Sequence, residues 1–518
     1  MAHQSIERIA RILAAAFKRG CALALWVVLV GWGAALAGAK GPAPAPPKGL
    51  DRKPLADELR KLVAAAPLHR ARFGLCVMDL TGDEWVFEHN ADELLITASN
   101  TKLATTAAAL ELLGPDYEFR TTVSALGKLQ PDGVLAGDLL VVGRGDPSIS
   151  GRFHDGRPIA VLERWAEAVA AAGIKSIRGG IVADDTFFDR QHVHPSWPQN
   201  QFQAWYCAPV SALSFNDNCV RVVVRPGPHP GAPAIAGTEP PTPFFELISS
   251  CTTSRARVGE SRVAVNRRLG TNRITVSGSV RAQGAPFTTW ITVHEPALYT
   301  ASVFAEVLRA RGIAVAGPVR LLTPPLKPEP PGATELLTTT SSLKEAVVVA
   351  NRNSQNFYAE QILKTLGREK TGKGTWPGGV EAVEGFLRAA GVKGTFVYSD
   401  GCGLARTNRF SPRQLVQLLR HANGRRWGGL YLRSLAEPGG EGTLSRRLDA
   451  LQGRLFAKTG YIQGVSALSG YVESRGQRLL AFSILVNDFR SALADVRAVQ
   501  DALCLFLADY EPSDPPRK

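Results

Sequence analysis

The pattern of the sequence changes twice along its 518 residues. Apolar residues recur at helical spacing towards both ends, whereas residues 116–339 hold short strand-like runs punctuated by proline and glycine. Helical segments and strands towards both ends of the chain predict one α/β domain. The strand-rich stretch between them is then an insertion within that domain. We therefore expect a multi-domain α/β protein, in which an antiparallel sheet with helices on both faces is interrupted by a mostly β insertion of one or two small modules.

The predicted elements follow from this periodicity. In the outer domain we predict helices at 54–65, from near Ser99 to Gly114-Pro115, and at 342–366, 378–390, 412–422 and 489–508, with strands at 72–80, 84–88, 465–473 and 478–486. In the insertion we predict strands at 118–125, 135–143, 219–225, 272–280 and 287–294, with helices near 158–171 and 298–311. We expect the outer domain to comprise 51–114 and 340–512, the insertion 115–339, and a disordered tail 513–518.

The first forty residues have the pattern of an export signal. Four basic residues precede an apolar run at 21–37, and small residues follow it at 35–39. We predict a signal peptide at 1–39 and a Pro-rich linker at 40–50, and hence a periplasmic protein. The alternative is an N-terminal membrane anchor, although the apolar run is at the short limit of the ~20 residues that a spanning helix needs.

Charge and cysteine content limit the partners. The formal net charge is +14, and most of that surplus lies outside the leader, yet no basic cluster has the pattern of a nucleic-acid-binding motif. We therefore expect no nucleic acid, and at most peripheral contact with an anionic membrane or cell wall. Of the cysteines, Cys207, Cys219 and Cys251 lie in one region, where one disulfide and isolated buried thiols are both open. No cysteine or histidine spacing matches a metal template, so we expect no metal and no cofactor.

Three short motifs carry chemistry. Ser99-x-x-Lys102 puts a hydroxyl and an amine on one face of a helix, where a neutral lysine can activate the serine. Ser354-x-Asn356 is the second motif, and Lys458-Thr459-Gly460 is the third. A Lys-Thr-Gly on an edge strand offers a cation, a hydroxyl and a backbone N–H to a substrate carboxylate and a developing oxyanion.

Each motif also occurs a second time. The duplicates are Ser341-x-x-Lys344, Ser214-x-Asn216 and Lys370-Thr371-Gly372. The last lies in a charged, glycine-rich stretch without a flanking strand, which predicts a solvated loop. Only the first set has the order Ser-x-x-Lys, Ser-x-Asn, Lys-Thr-Gly with a suitable context for each motif.

With its neighbouring sequence, this set resembles the D-alanyl-D-alanine carboxypeptidase/endopeptidase family, the class C low-molecular-mass penicillin-binding proteins (serine peptidase family S13). The matching stretches are ASNTKL (98–103), GDPS (145–148), DDTFFD (184–189), ALSFNDN (212–218), NSQNFYAE (353–360), DGCGLARTN (400–408) and KTGYIQGVSALSGYV (458–472). The resemblance implies a β-lactamase/transpeptidase-like catalytic domain, peptidoglycan stem peptides as substrate and β-lactam antibiotics as inhibitors. It leaves open the balance of carboxypeptidase and endopeptidase action, and the oligomeric state.

The resemblance also implies residue roles. Ser99 would attack a D-Ala-D-Ala or D-Ala-diaminopimelate bond, and Lys102 would take its proton. Ser354 and Asn356 would complete the proton relay and hold the substrate amide. Lys458 and Thr459 would hold the terminal carboxylate, and the N–H groups of Ser99 and Tyr461 would form the oxyanion hole. The residues implied for the substrate side-chain pocket are Asp146, Arg406 and Gln463.

Three positions depart from the family pattern. Tyr461 replaces a small hydroxyl residue after Lys-Thr-Gly, and Cys402 and Ala405 replace serines of a DGSGLSR-like stretch. Two alternatives therefore stay open, namely a β-lactamase or esterase of the same superfamily and a non-catalytic wall-binding relative. A further question concerns Trp197, Trp205 and Tyr206, which could stack on sugars or anchor a small core.

Overall fold

The computed structural model describes residues 52–65, 68, 70–255, 261–323 and 333–510. The predicted signal peptide, the linker and the 513–518 tail lie outside these residues. Within the described ranges, no helix has both the length and the apolar character that crossing a bilayer demands.

The helices are numbered in chain order over the described residues. They are α1 (Arg52–Ala65), α2 (Lys102–Leu112), α3 (Ala160–Ala171), α4 (Pro296–Ala310), α5 (Leu343–Arg352), α6 (Asn356–Thr371), α7 (Trp376–Ala389), α8 (Pro412–Asn423), α9 (Gly428–Ser434) and α10 (Leu493–Ala508). The predicted helices are confirmed to within a few residues, with one exception described below. The short helix α9 was not predicted.

The strands are numbered in the same way. They are β1 (Arg72–Asp79), β2 (Glu84–His89), β3 (Leu95–Ile96), β4 (Glu118–Leu129), β5 (Val134–Gly143), β6 (Ser176–Ile177), β7 (Ile181–Asp184), β8 (Cys219–Arg225), β9 (Ile235–Glu239), β10 (Glu246–Ser249), β11 (Thr252–Ser254), β12 (Arg262–Arg267), β13 (Arg273–Arg281), β14 (Phe287–Thr292), β15 (Ala314–Val315), β16 (Val319–Leu321), β17 (Ala333–Ser342), β18 (Arg409–Phe410), β19 (Leu455–Ile462), β20 (Val465–Glu473) and β21 (Leu479–Asn487). The predicted strands are confirmed. The strands that were not predicted are the ten-residue β17, the two short strands β3 and β18 of the outer domain, and several short strands of the insertion.

The outer domain is built on a five-stranded antiparallel sheet with the order β19-β20-β21-β1-β2. Side chains alternate across it, so Leu75 and Val77 of β1 pack in one core with α1 and α10. Cys76 and Met78 pack in the other core, with α2 and α5–α8. Since both faces are covered, β1 is apolar almost throughout. The expected antiparallel sheet with helices on both faces is confirmed.

Over the described residues, the insertion contains three sheets that pack around one main apolar core. Seven strands form a mixed sheet with the path β15-β6-β5-β4-β17, to which β7 and β16 add. Three strands form β14-β8-β9, and four form a sheet around β13. Helices α3 and α4 meet through an edge-to-face contact of Trp165 and Phe304, whose ring centroids lie 5.4 Å apart. The mostly β character is confirmed, and β17 returns the chain to α5 by pairing along β4.

The single helix predicted at 342–366 is wrong. The chain forms α5 and α6 instead, and Ser354 lies in the break with φ of +58°. A left-handed residue ends the run of helical hydrogen bonds, but the apolar periodicity continues across it, so the break leaves no trace in the pattern. Ser354 thereby lies outside both helices, at the N-terminal end of α6.

Candidate active site

Ser99 lies in a short 3₁₀ turn, Ala98–Thr101, that leads directly into α2. Ala98 has φ of +44°, an uncommon conformation for a residue with a side chain. The turn is held from below by Gly403, where an added Cβ would lie 1.8 Å from the Ala98 carbonyl oxygen. The close contact requires glycine at 403, so a distant loop fixes the backbone beside Ser99.

Lys102 connects the turn to two other parts of the chain. Its side chain is fully buried, and Nζ donates to Ser99 Oγ at 3.0 Å, Asn356 Oδ1 at 2.7 Å and the Cys402 carbonyl at 2.7 Å. Burial lowers the pKa of Lys102, although nearby carboxylates oppose the shift. The site therefore holds an amine with an increased tendency to be neutral, within hydrogen-bond reach of a serine hydroxyl.

A second buried amine lies across the site. Lys458 Nζ donates to Ser354 Oγ at 2.8 Å and to the Thr459 carbonyl at 2.9 Å. Burial, with the charge of Lys102 as a further cause, lowers the pKa of Lys458 well below its usual value. Protonating both of two neighbouring buried amines costs free energy through charge repulsion, so their titrations are coupled.

Strand β19 is an edge strand that packs against the turn. Ala457 forms two backbone hydrogen bonds with Ala436 on the side away from β20, at 2.9 and 3.2 Å. Because backbone groups alternate along a strand, the N–H groups of Thr459 and Tyr461 lie on the same outer side. A Cβ on Gly460 would be only 3.1 Å from the Ser99 amide nitrogen, so the strand lies directly against the turn.

The Thr459 hydroxyl donates to Thr443 Oγ1 at 2.8 Å, which adds a hydroxyl that sequence reasoning missed. The side chain of Tyr461 is 50% exposed. Asn100, next to Ser99, donates to the Lys458 carbonyl at 2.8 Å and so ties the turn to β19.

The residues predicted for a side-chain pocket fall in two places. Arg406 Nη1 donates to the Gln463 carbonyl at 2.8 Å, which joins these two exposed residues beside the end of β19. Asp146 is buried in the insertion, where Oδ1 accepts from the hydroxyls of Ser148 at 2.7 Å and Ser341 at 2.6 Å. Burial raises the pKa of Asp146. Among the described residues, its hydrogen-bond partners include none of the other predicted site residues.

Two of the duplicate motifs lie elsewhere in the fold, where their lysines have other partners or other roles. Lys344 pairs with Asp116 at the surface rather than with Ser341. Lys370 belongs to the last turn of α6, and Gly372, with φ of +73°, ends that helix. The prediction of a solvated loop at 370–372 is thus wrong in secondary structure, since a helix with a glycine C-cap accounts for the same charged, glycine-rich sequence.

The loop at 400–405 contributes main-chain atoms to the site. The Cys402 carbonyl accepts from Lys102, and its N–H donates to Glu360 Oε1 at 2.7 Å. Asp400 accepts from the N–H groups of Gly403 and Ala405, each at 2.7 Å. Because the Lys102 contact uses a backbone carbonyl, the serine-to-cysteine departure at 402 leaves it intact.

Glu360 was also missed. It lies beneath the catalytic residues with no exposed surface, and burial, with the charge of Asp400, raises its pKa to about 7. Glu360, Asp400 and Cys402 have side-chain ligand atoms within 4.8 Å of one another. Donors of the protein itself already engage the carboxylates, including the indole N–H of Trp376 to Glu360 at 2.8 Å and that of Trp197 to Asp400 at 2.8 Å.

The insertion reaches the site directly. Asn356 Nδ2 donates to the Tyr206 carbonyl at 2.8 Å, so the inserted module orients an amide that also contacts Lys102. Trp197 is buried and anchors this contact region, whereas Trp205 is 46% exposed. All six cysteines of the described residues are free and buried, so the alternative of isolated thiols is confirmed for Cys207, Cys219 and Cys251.

Comparison with known proteins agrees with this geometry. The model of the D-Ala-D-Ala carboxypeptidase 3 (S13) family matches residues 55–510. The chain belongs to this family. A D-alanyl-D-alanine carboxypeptidase of Actinomadura sp. (strain R39) is 36% identical over 487 residues, which cover 90% of this chain and 87% of that protein. D-alanyl-D-alanine carboxypeptidase DacB of Haemophilus influenzae is 24% identical, with coverage of 80% and 85%.

A solved structure gives the same fold. Penicillin binding protein 4 from Haemophilus influenzae superposes with a TM-score of 0.74 at 22% identity, covering 87% of this chain and 99% of that one. A structure of the same protein complexed with a β-lactam gives a TM-score of 0.68 at 21% identity. The family assignment and the fold class are confirmed, and as a member of the S13 family the chain is a serine-type D,D-peptidase.

Proposed function

We propose that this chain cleaves the D-Ala-D-Ala or D-Ala-diaminopimelate bond of peptidoglycan stem peptides through an acyl-enzyme on Ser99. The observation that carries the proposal is the 3.0 Å contact between Ser99 Oγ and the buried Lys102 Nζ. A nucleophile needs a neighbouring base, and burial, by lowering the pKa of Lys102, increases the neutral fraction of the amine that can act as one. The names of the relatives point to the same substrate class.

In acylation, neutral Lys102 takes the Ser99 hydroxyl proton as Oγ attacks the carbonyl carbon. The C–N bond then breaks, and the proton held by Lys102 passes to the leaving amine through the Ser354 hydroxyl, which leaves Lys102 neutral again. Lys458 Nζ holds Ser354 Oγ in place at 2.8 Å. The products are an ester on Ser99 and a free D-amino acid or amine. Water then attacks the ester, releases the shortened peptide and restores the hydroxyl.

The oxyanion would bind the backbone N–H groups of Ser99 and Tyr461. Support comes from the short distance between the Gly460 position and the Ser99 nitrogen, and from the outer orientation of the Tyr461 N–H. Removing one such donor typically costs about 10²–10³ in rate. Thr459, Thr443 and Lys458 would hold the substrate carboxylate, because hydroxyls and a cation meet at this end of the cleft.

Arg406 and Gln463 would contact the substrate side chain, given their exposure and mutual contact at the end of β19. We propose the same pocket for Asp146, whose buried carboxylate also accepts hydrogen bonds from the hydroxyls of Ser148 and Ser341. The proposed location is the periplasm, on the basis of the signal-like sequence at 1–39. A β-lactam mimics the scissile amide, and we propose that it acylates Ser99.

The test uses purified protein with a fluorescent penicillin and with a D-Ala-D-Ala pentapeptide. We expect stable labelling and D-alanine release by the wild type, and neither by Ser99→Ala. Absence of labelling in the wild type would remove the enzyme proposal. Rapid release of hydrolysed penicillin without D-alanine would instead indicate a β-lactamase. A digest of sacculi then separates carboxypeptidase from endopeptidase products.

A further inference from the structure

A cavity of about 780 Å³ opens next to the segment that carries Ser354, between the insertion and the break before α6. Asn353 and Gln355, the neighbours of Ser354, form part of its wall. Its volume lies within the range of about 300–1,000 Å³ that small-molecule sites occupy. The proposed proton transfers use Ser354 and Asn356 but leave this cavity without a role.

The cavity is coupled to the catalytic segment by a hydrogen bond. Gln355 Nε2 donates to Asp217 Oδ2 at 3.0 Å, and Arg152 donates to the same oxygen at 2.8 Å. Asp217 belongs to the insertion, whereas Gln355 lies between the two motif residues Ser354 and Asn356. A ligand in the cavity would therefore lie next to the catalytic residues and be held by both domains.

The charges that line the cavity are paired with one another. Arg152 pairs with Asp217 at 2.8 Å, and Arg221 pairs with Glu239 at 3.2 Å. Matched pairs leave little net charge to attract an ion, but they keep oxygen and N–H groups that can bond to hydroxyl and amide groups. The wall therefore suits a neutral, polar ligand better than a charged amino acid.

Two tryptophans give the cavity flat apolar surfaces. Trp205 is 46% exposed and Trp290 is 45% exposed, and both line the cavity. They lie beside the backbone bridge between Ala204 and Ile291, so the two indoles belong to adjacent chain segments. The wall is net-neutral and largely apolar, with Pro158, Pro240 and Pro241 beside the indoles. The half-exposed indoles offer apolar faces to the C–H faces of a pyranose ring, and the paired charged side chains serve its hydroxyls.

We infer that this cavity is a carbohydrate subsite that binds an N-acetylated pyranose of the glycan strand carrying the stem peptide. The inference rests on the proposed function, because an enzyme that cleaves stem peptides meets the glycan strand to which those peptides are attached. The subsite would recognise neutral sugar rings by stacking on Trp205 and Trp290. Hydroxyl and acetamido groups would bond to the paired arginines and carboxylates.

The first measurement is binding of chitotetraose, a β-1,4-linked N-acetylglucosamine tetramer, by isothermal titration calorimetry. We expect wild-type protein to bind it, and Trp205→Ala or Trp290→Ala to weaken binding by about tenfold or more. The matched control is Trp85→Ala, because Trp85 is 40% exposed on β2, where it packs under Arg413 away from the cavity. This variant should bind as the wild type does.

The second measurement compares kcat/KM for a disaccharide-pentapeptide with that for the same pentapeptide without sugar. The ratio should exceed one in the wild type and in Trp85→Ala, and fall towards one in the two cavity variants, while penicillin acylation stays unchanged. No chitotetraose binding by the wild type, or a wild-type ratio of one, would overturn the inference. If the wild type binds chitotetraose but is not acylated by penicillin, the proposed function is rejected and the carbohydrate site remains.

Discussion

Burial lowers the pKa of Lys458, the second amine of the site, and the charge of the buried Lys102 lowers it further. By reciprocity, a proton on Lys458 opposes protonation of Lys102 to the same degree. Lys102 contacts Ser99, and Lys458 contacts Ser354. Each serine is thus paired with one amine, and the protonation of either amine depends on the other.

Replacing Lys102 by alanine removes the proposed base. We expect the second-order rate constant for penicillin acylation to fall by about a hundredfold or more, as general-base catalysis contributes on this scale. Lys344→Ala is the control, because Lys344 occupies the duplicate Ser-x-x-Lys and lies at the surface. Equal losses in both variants, measured by stopped-flow labelling, would exclude a specific role for Lys102.

Replacing Lys458 by alanine should lower kcat/KM for a D-Ala-D-Ala peptide by about a hundredfold, since it removes a buried hydrogen-bonded cation. Lys370→Ala, in the duplicate Lys-Thr-Gly, is the control and should leave kcat/KM unchanged. Equal losses in the two variants would contradict a specific role for Lys458 in holding the substrate.

Glu360 gives a stability prediction. Its pKa is about 7 in the folded protein against an ordinary 4.5, so the folded state retains this proton where the unfolded state has lost it. Stability from this group is complete below pH 4.5 and declines by about 3 kcal/mol as the pH rises through 7. Glu360→Gln, which resembles the protonated form, should flatten that decline in unfolding measurements between these pH values. Parallel pH curves for the two proteins would be inconsistent with a raised pKa.

Gly403→Ala tests whether the loop positions Ser99. The added Cβ would clash with the Ala98 carbonyl, and φ of +85° is itself unfavourable for alanine by about 1–2 kcal/mol. We expect a lower melting temperature and slower acylation. Gly385→Ala is the control, because no atom lies within 4 Å of its added Cβ in α7, where alanine should stabilise by about 0.5–1 kcal/mol. Normal acylation by Gly403→Ala would show that the contact is dispensable.

Much of this structure could be predicted from the sequence. The strand-like apolar runs of the outer domain predicted the positions of its strands. The ordered motifs identified Ser99, Lys102, Ser354 and Lys458, which the fold brings into contact in pairs. Short motifs can be recognised in a sequence because the chemistry requires particular side chains at a fixed spacing. The resemblance to a family then implied that these residues lie together in one cleft.

Other parts of the site were not predictable because they depend on the backbone or on long-range contacts. The break at Ser354 is a matter of φ, which apolar periodicity does not record. The Cys402 and Tyr206 carbonyls act as acceptors whatever their side chains are. The raised pKa of Glu360 arises from burial beside Asp400, forty residues along the chain, and only the folded protein shows it.

The most direct test of the account is the mass of the intact protein after incubation with benzylpenicillin, followed by digestion to locate the adduct. We predict one covalent penicilloyl group on the peptide that contains Ser99, and none in Ser99→Ala. An unmodified wild type, or an adduct on a peptide containing Ser354 or Ser341, would contradict the assignment of Ser99 as the nucleophile.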